Sequence, residues 1–87
     1  MRGYNEMKRD VLTVLKDRGW RRPKELAGLF GYHVASMHHY LEHLRKWGLV
    51  WRRNRPFAEY RISARGKERL SWLESNRAVV RAGQKEG

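Results

Sequence analysis

Apolar positions recur at helical spacing near the start of the chain: Met7, Val11, Val14 and Leu15, with Leu12 widening the stripe. This predicts a helix over residues 6–18, with Asn5 placed to cap its start and Gly19 to end it in a left-handed turn. Trp20-Arg21-Arg22 reads as a short extended link. Pro23 suits the first position of a second helix, where its missing N–H costs nothing. That helix should bury Leu26, Ala27, Leu29 and Phe30 and stop at Gly31. Only Tyr32 and His33 separate it from a third helix over 34–47, with Met37, Leu41 and Leu44 facing inward and Gly48 as terminator. Two helices joined by so short a turn cross steeply, as in a helix-turn-helix, and Ala27 supplies the small side chain the crossing needs. The period then changes. Residues 49–53 and 57–62 read as strands around an Asn54-Arg55-Pro56 turn, with Tyr60 and Ile62 facing the core. Pro56 belongs at the turn or an edge because it cannot donate a ladder hydrogen bond. Ser63 should cap a fourth helix whose stripe is Leu70, Leu73 and Val80, with Trp72 and Val79 beside it.

The order is therefore helix, helix-turn-helix, two-stranded wing, helix: mainly α with a small β-hairpin, the winged helix-turn-helix plan. Residues 1–82 read as one domain and 83–87 as a disordered tail. The segment "ELAGLFGYHVASMHHYLEHLRKWGLV" resembles the helix-turn-helix core of MarR- and ArsR-type transcriptional regulators. Ala27, Gly31, Met37, Leu41, Leu44 and Gly48-Leu49-Val50 match buried or turning positions without a gap. "EYRISARGKERL" resembles the passage from the wing into the next helix, including Ser63 and Gly66. The resemblance implies a sequence-specific protein of double-stranded DNA, with the third helix in the major groove. Ala35, Ser36, His38, His39, His43 and Lys46 would then face the groove.

Charge sharpens this reading. Twenty Lys and Arg against nine Asp and Glu give a formal net charge of +11. Between Arg45 and Arg69 nine basic residues meet only Glu59 and Glu68, so seven of the excess charges fall in that block. Such a field attracts polyanions, chiefly nucleic acid. Arg52, Arg53 and Arg55 surround the wing turn, where arginine suits a phosphate or a narrow minor groove, and Arg61 and Arg65 extend the set. Without a local acid partner, these arginines would repel one another unless an anion joined them.

The third helix departs from the pattern of that family, which generally presents Arg, Ser, Thr or Gln on this face; here imidazoles stand there and Arg is missing from the first three turns. Histidine lacks the bidentate fit of arginine to guanine, so base readout should be modest. Ala35 can touch a thymine methyl; Glu42 would repel phosphate unless it pairs with a base such as Arg45 or Lys46, or accepts from cytosine N4. Imidazole changes charge within the physiological pH range, so some pH dependence of phosphate binding is expected. His39 and His43, four residues apart, could also chelate zinc or nickel. Without Cys or a neighbouring acidic cluster, DNA contact or a plain solvated face outranks a metal site, and no cofactor is expected.

Four tryptophans are too many for one small core, so Trp72, with Leu73 and Val79, is expected at a homodimer contact. No phosphate loop or nucleophile elbow is present, and the chain reads as a non-enzyme. The absence of cysteine and of an apolar run near about 18 residues points to a soluble, cytoplasmic protein without membrane partners. A rival reading is a winged-helix module contacting protein or RNA in a transcription or ribosomal assembly.

Overall fold

Most apolar positions expected from the sequence form one shared core in the computed structural model, which describes the backbone of residues 4–86 and the side chains of residues 5–75; Val80, expected in the α4 stripe, lies outside those side chains. The elements run α1 (Tyr4–Arg18), α2 (Pro23–Phe30), α3 (Val34–Lys46), β1 (Val50–Asn54), β2 (Ala58–Ile62) and α4 (Ala64–Glu86). Val11, Leu12 and Leu15 of α1, Leu26 and Ala27 of α2, and Met37, Leu41 and Leu44 of α3 meet Tyr60, Ile62, Leu70 and Leu73. The winged helix-turn-helix plan holds.

Several local expectations change. Asn5 lies inside α1 and does not cap it. Leu29 is 49% exposed, although it was expected in the core. At about 100° per residue it stands roughly 110° from the centre of the stripe made by Pro23, Leu26, Ala27 and Phe30. A run of apolar residues is thus not a face. Both strands begin one residue later than expected. The Leu49 amide bonds back to the Leu44 carbonyl at 2.9 Å, so Leu49 completes the exit from α3 instead of opening β1. The Phe57 carbonyl accepts from the Arg55 amide at 3.1 Å within the turn, leaving Phe57 64% exposed at the wing tip.

The hairpin is antiparallel, with Val50 opposite Ile62 and Arg52 opposite Tyr60. The extended link contributes a third edge: the Arg21 amide donates to the Tyr60 carbonyl at 2.9 Å and the Tyr60 amide donates to the Arg21 carbonyl at 2.8 Å. β2 therefore lies between β1 and the start of α2. Tyr60 and Ile62 face the core, as their spacing implied.

At the base of the wing, the Ser63 hydroxyl accepts from the Gly66 amide at 2.9 Å and donates to the Gly48 carbonyl at 2.6 Å. The Ser63 amide donates to the Leu49 carbonyl at 3.0 Å. One serine thus caps α4 and closes the loop in which the wing begins and ends. This brings α4 so close that Gly66 has no room for a side chain. A Cβ there would collide with the Leu49 carbonyl oxygen and lie 2.7 Å from Ile62 Cγ1. Gly66→Ala should therefore cost roughly 3 kcal/mol, since backbone cannot yield as a rotamer does. Gly28→Ala, with nothing within 4 Å of the added carbon, should stabilise α2 by up to about 1 kcal/mol. Denaturant midpoints of the two variants measure both signs.

Candidate nucleic-acid interface

The outer face of α3 follows from its inner one. With Met37, Leu41 and Leu44 buried, helical rotation puts His39 and Lys46 opposite the core, flanked by Ala35, Glu42 and His43. Ala35, Ser36, His39, His43 and Lys46 are exposed. His38 is half-buried and meets the Tyr60 ring edge-on, with centroids 6.1 Å apart. It belongs to the flank beside the wing, not to the outermost strip. His39 and His43 meet edge to face at 5.0 Å, and His43 continues to Trp47 at 6.2 Å. The helix consequently has a wing edge of His38, Glu42 and Arg45, and a far edge of His39, His43 and Trp47.

Glu42 joins the wing edge to the wing. Its carboxylate accepts from the Tyr60 hydroxyl at 2.6 Å, from Arg52 Nη1 at 3.1 Å and from Arg45 Nη2 at 2.9 Å. Donors from α3, β1 and β2 therefore converge on one acid. The Arg45 hydrogen bond, reinforced by that of Tyr60, holds the Glu42 carboxyl down at about 2 against the opposing effect of desolvation. Burial, then the hydrogen bond to Glu42 and its charge, pushes the Tyr60 phenol well above its usual range, so it remains a donor. Glu42 is thus engaged by its own chain, which leaves little of it to repel phosphate or to accept from cytosine N4.

The wing arginines fall into two groups, and the expectation that they lack acid partners is wrong for Arg52 and Arg53. Arg52 is paired with Glu42. Arg53 Nε donates to Glu59 at 2.9 Å, while its guanidinium lies 4.3 Å from the centroid of the Trp20 ring. Arg53 therefore fastens the hairpin to the link before α2. Arg55, Arg61 and Arg65 are exposed. Arg22 over the Phe57 ring, at 5.3 Å, adds a second tie between link and wing tip.

Of the residues expected at a dimer contact, two have described side chains, and these differ in burial. Leu73 is in the core of the single chain, Trp72 is 50% exposed, and the Val79 side chain lies outside the described residues. The His39–His43 pair meets, but among the described residues no group of three His, Cys, Asp or Glu side chains comes together to hold a metal ion. No helix among the described residues is long and apolar enough to cross a membrane.

Sequence reasoning missed Lys8, which is only 4% exposed. Its signal was present: Lys8 occupies the same helical stripe as Val11, Leu12 and Leu15. Comparison of the chain with protein-family models, curated proteins and solved structures finds no match. The winged-helix assignment therefore rests on the order, packing and register of the elements.

The Glu42 cluster carries a pH signature. Because its folded pKa lies near 2, below the ordinary 4.5, its contribution is complete above about pH 5 and is lost as pH falls toward 2. Glu42→Gln should cost on the order of 1–3 kcal/mol at pH 7 and flatten the acid limb of stability between about pH 5 and 2. Urea unfolding across that range measures it, and an acid limb as steep as in the wild type would contradict this assignment.

Proposed function

We propose that this winged helix binds double-stranded DNA as a transcriptional regulator, as its resemblance to the MarR and ArsR types implies. α3 enters the major groove, and the wing follows the adjacent backbone or minor groove. The observation that carries this reading is the meeting of Arg45 from α3 and Arg52 from β1 on the Glu42 carboxylate. Helix and wing are held as one surface, with two arginines for one acid at their junction. Exposed Lys46, Arg55, Arg61 and Arg65 add charge around it.

Under this reading the residues divide by role. Ala35, Ser36, His39 and His43 meet base edges, and imidazoles provide single hydrogen bonds there instead of a bidentate fork. His38, turned toward Tyr60, orients the helix edge. Arg45, Lys46, Arg52, Arg55, Arg61 and Arg65 contact phosphates, while Arg53 holds the hairpin in shape through Glu59 and Trp20. Pairing of two chains, expected through α4, would set two such surfaces one helical turn apart on a pseudo-palindromic site.

Affinity for duplex DNA should fall steeply with salt, the log–log slope being about −0.9 per phosphate contact. Arg55→Gln should reduce the size of that slope by about one contact, equally on all sequences. A flat salt response, or equal preference for a duplex of RNA, would favour the rival protein- or RNA-contact reading.

Ser36→Ala and His39→Ala should instead change sequence preference, each costing roughly 1–3 kcal/mol at the preferred site and little on random duplex. Competition binding with randomised duplexes reads this directly. Unchanged preference in both variants would make the histidine face merely solvated.

A further inference from the structure

Behind the C-terminal end of α3 lies a cleft of about 700 Å³ between α1, α3 and α4. This volume lies within the range of small-molecule sites, about 300–1,000 Å³. Lys8 is buried at the cleft, its ammonium 4.7 Å from the centroid of the Trp47 ring. Lys46, Arg65 and Arg69 also line it, with Glu68 as the one acid among the described lining residues. Trp47 and Trp72 form apolar walls and remain 44% and 50% exposed. The Arg69 guanidinium lies 5.0 Å from the centroid of the Trp72 ring.

Three exposed cations, Lys46, Arg65 and Arg69, border this one small space beside Lys8. Burial, aided by the charge of Arg69, lowers the Lys8 pKa, and an anion in the cleft would offset the Arg69 charge. A single carboxylate would leave most of that charge unanswered, whereas a phosphate chain offers several oxygens in the geometry guanidinium groups accept bidentately. The half-exposed indoles add what inorganic phosphate cannot use: flat apolar surface suited to a planar base. We propose that this cleft binds a nucleoside phosphate, with its phosphate oxygens at Arg69, Lys46 and Arg65, the last two shared with the proposed DNA contacts, and its base against Trp47 and Trp72. The buried Lys8 supplies the field at the back of the site.

The site can be tested without DNA, so its outcome is separate from that of the DNA-binding reading. Calorimetric titration of the full chain with ADP at fixed ionic strength should give saturable binding. Pyrophosphate and adenosine, each lacking one half of the ligand, should bind at least roughly tenfold more weakly. Arg69→Gln and Lys46→Gln should each weaken ADP about tenfold with unchanged far-ultraviolet circular dichroism. Both are exposed positions, chosen because a change at buried Lys8 could unfold the chain. Lys16→Gln removes the same charge from the exposed end of α1 and should leave ADP binding as it was. Equal weakening by Lys16→Gln would reduce the effect to net charge and overturn the site. Pyrophosphate binding as tight as ADP, or no saturable ADP binding at all, would overturn it too.

Discussion

The hydrogen bond from the Tyr60 hydroxyl to the Glu42 carboxylate, 2.6 Å long, ties the two halves of the molecule together. Tyr60 is fully buried, and its backbone is committed to Arg21 on one side of β2. Its ring meets His38, and its hydroxyl reaches the outer edge of α3. The position of the wing relative to the helix is therefore set from inside the core. A polar group buried at that depth needs its partner, because leaving it unpaired costs about 1–3 kcal/mol. Packing alone would let a short hairpin pivot; a buried donor aimed at one acid does not.

That constraint also organises the charge. Glu42 remains ionised and brings Arg45 and Arg52 to a common point, so two cations from different elements share one acid at the junction. Glu59 pairs with Arg53 across the hairpin, while Trp20 covers the Arg53 guanidinium. Each acid here steadies a basic surface at the cost of part of its charge. Exposed ion pairs contribute little stability individually, but the Glu42 cluster also includes a buried hydroxyl and fixes a geometry. The surface proposed to meet DNA would combine the paired arginines Arg45 and Arg52 with exposed ones, such as Arg55 and Arg61, around them.

The architecture was legible because burial follows periodicity. Met37, Leu41 and Leu44 define the inner face of α3 without any knowledge of their partners, and Tyr60 and Ile62 do so for β2. Leu29 was misplaced because apolar character was weighed above its angle on the helix. The Glu42 cluster was less visible: its Arg45 contact lies at local helical spacing, but Tyr60 is 18 residues away and Arg52 is 10. The same holds for Lys8, whose place on an apolar stripe was readable although its meeting with Trp47 was not. The outer face of α3 could be drawn from the sequence; the division between its wing edge and its histidine edge required coordinates.

The central claim is that the outer face of α3 and the wing act as one DNA-binding surface held by Glu42. Nuclear magnetic resonance of the full chain, titrated with a short duplex, tests it most directly. The account predicts that the largest shift changes fall together on residues 35–46 and 52–55, including the Arg52 and Arg45 side-chain signals, as the Glu42 pairs adjust to phosphate. Changes confined to the α2 surface around Leu29, or no changes in α3 and the wing at saturating duplex, would contradict it.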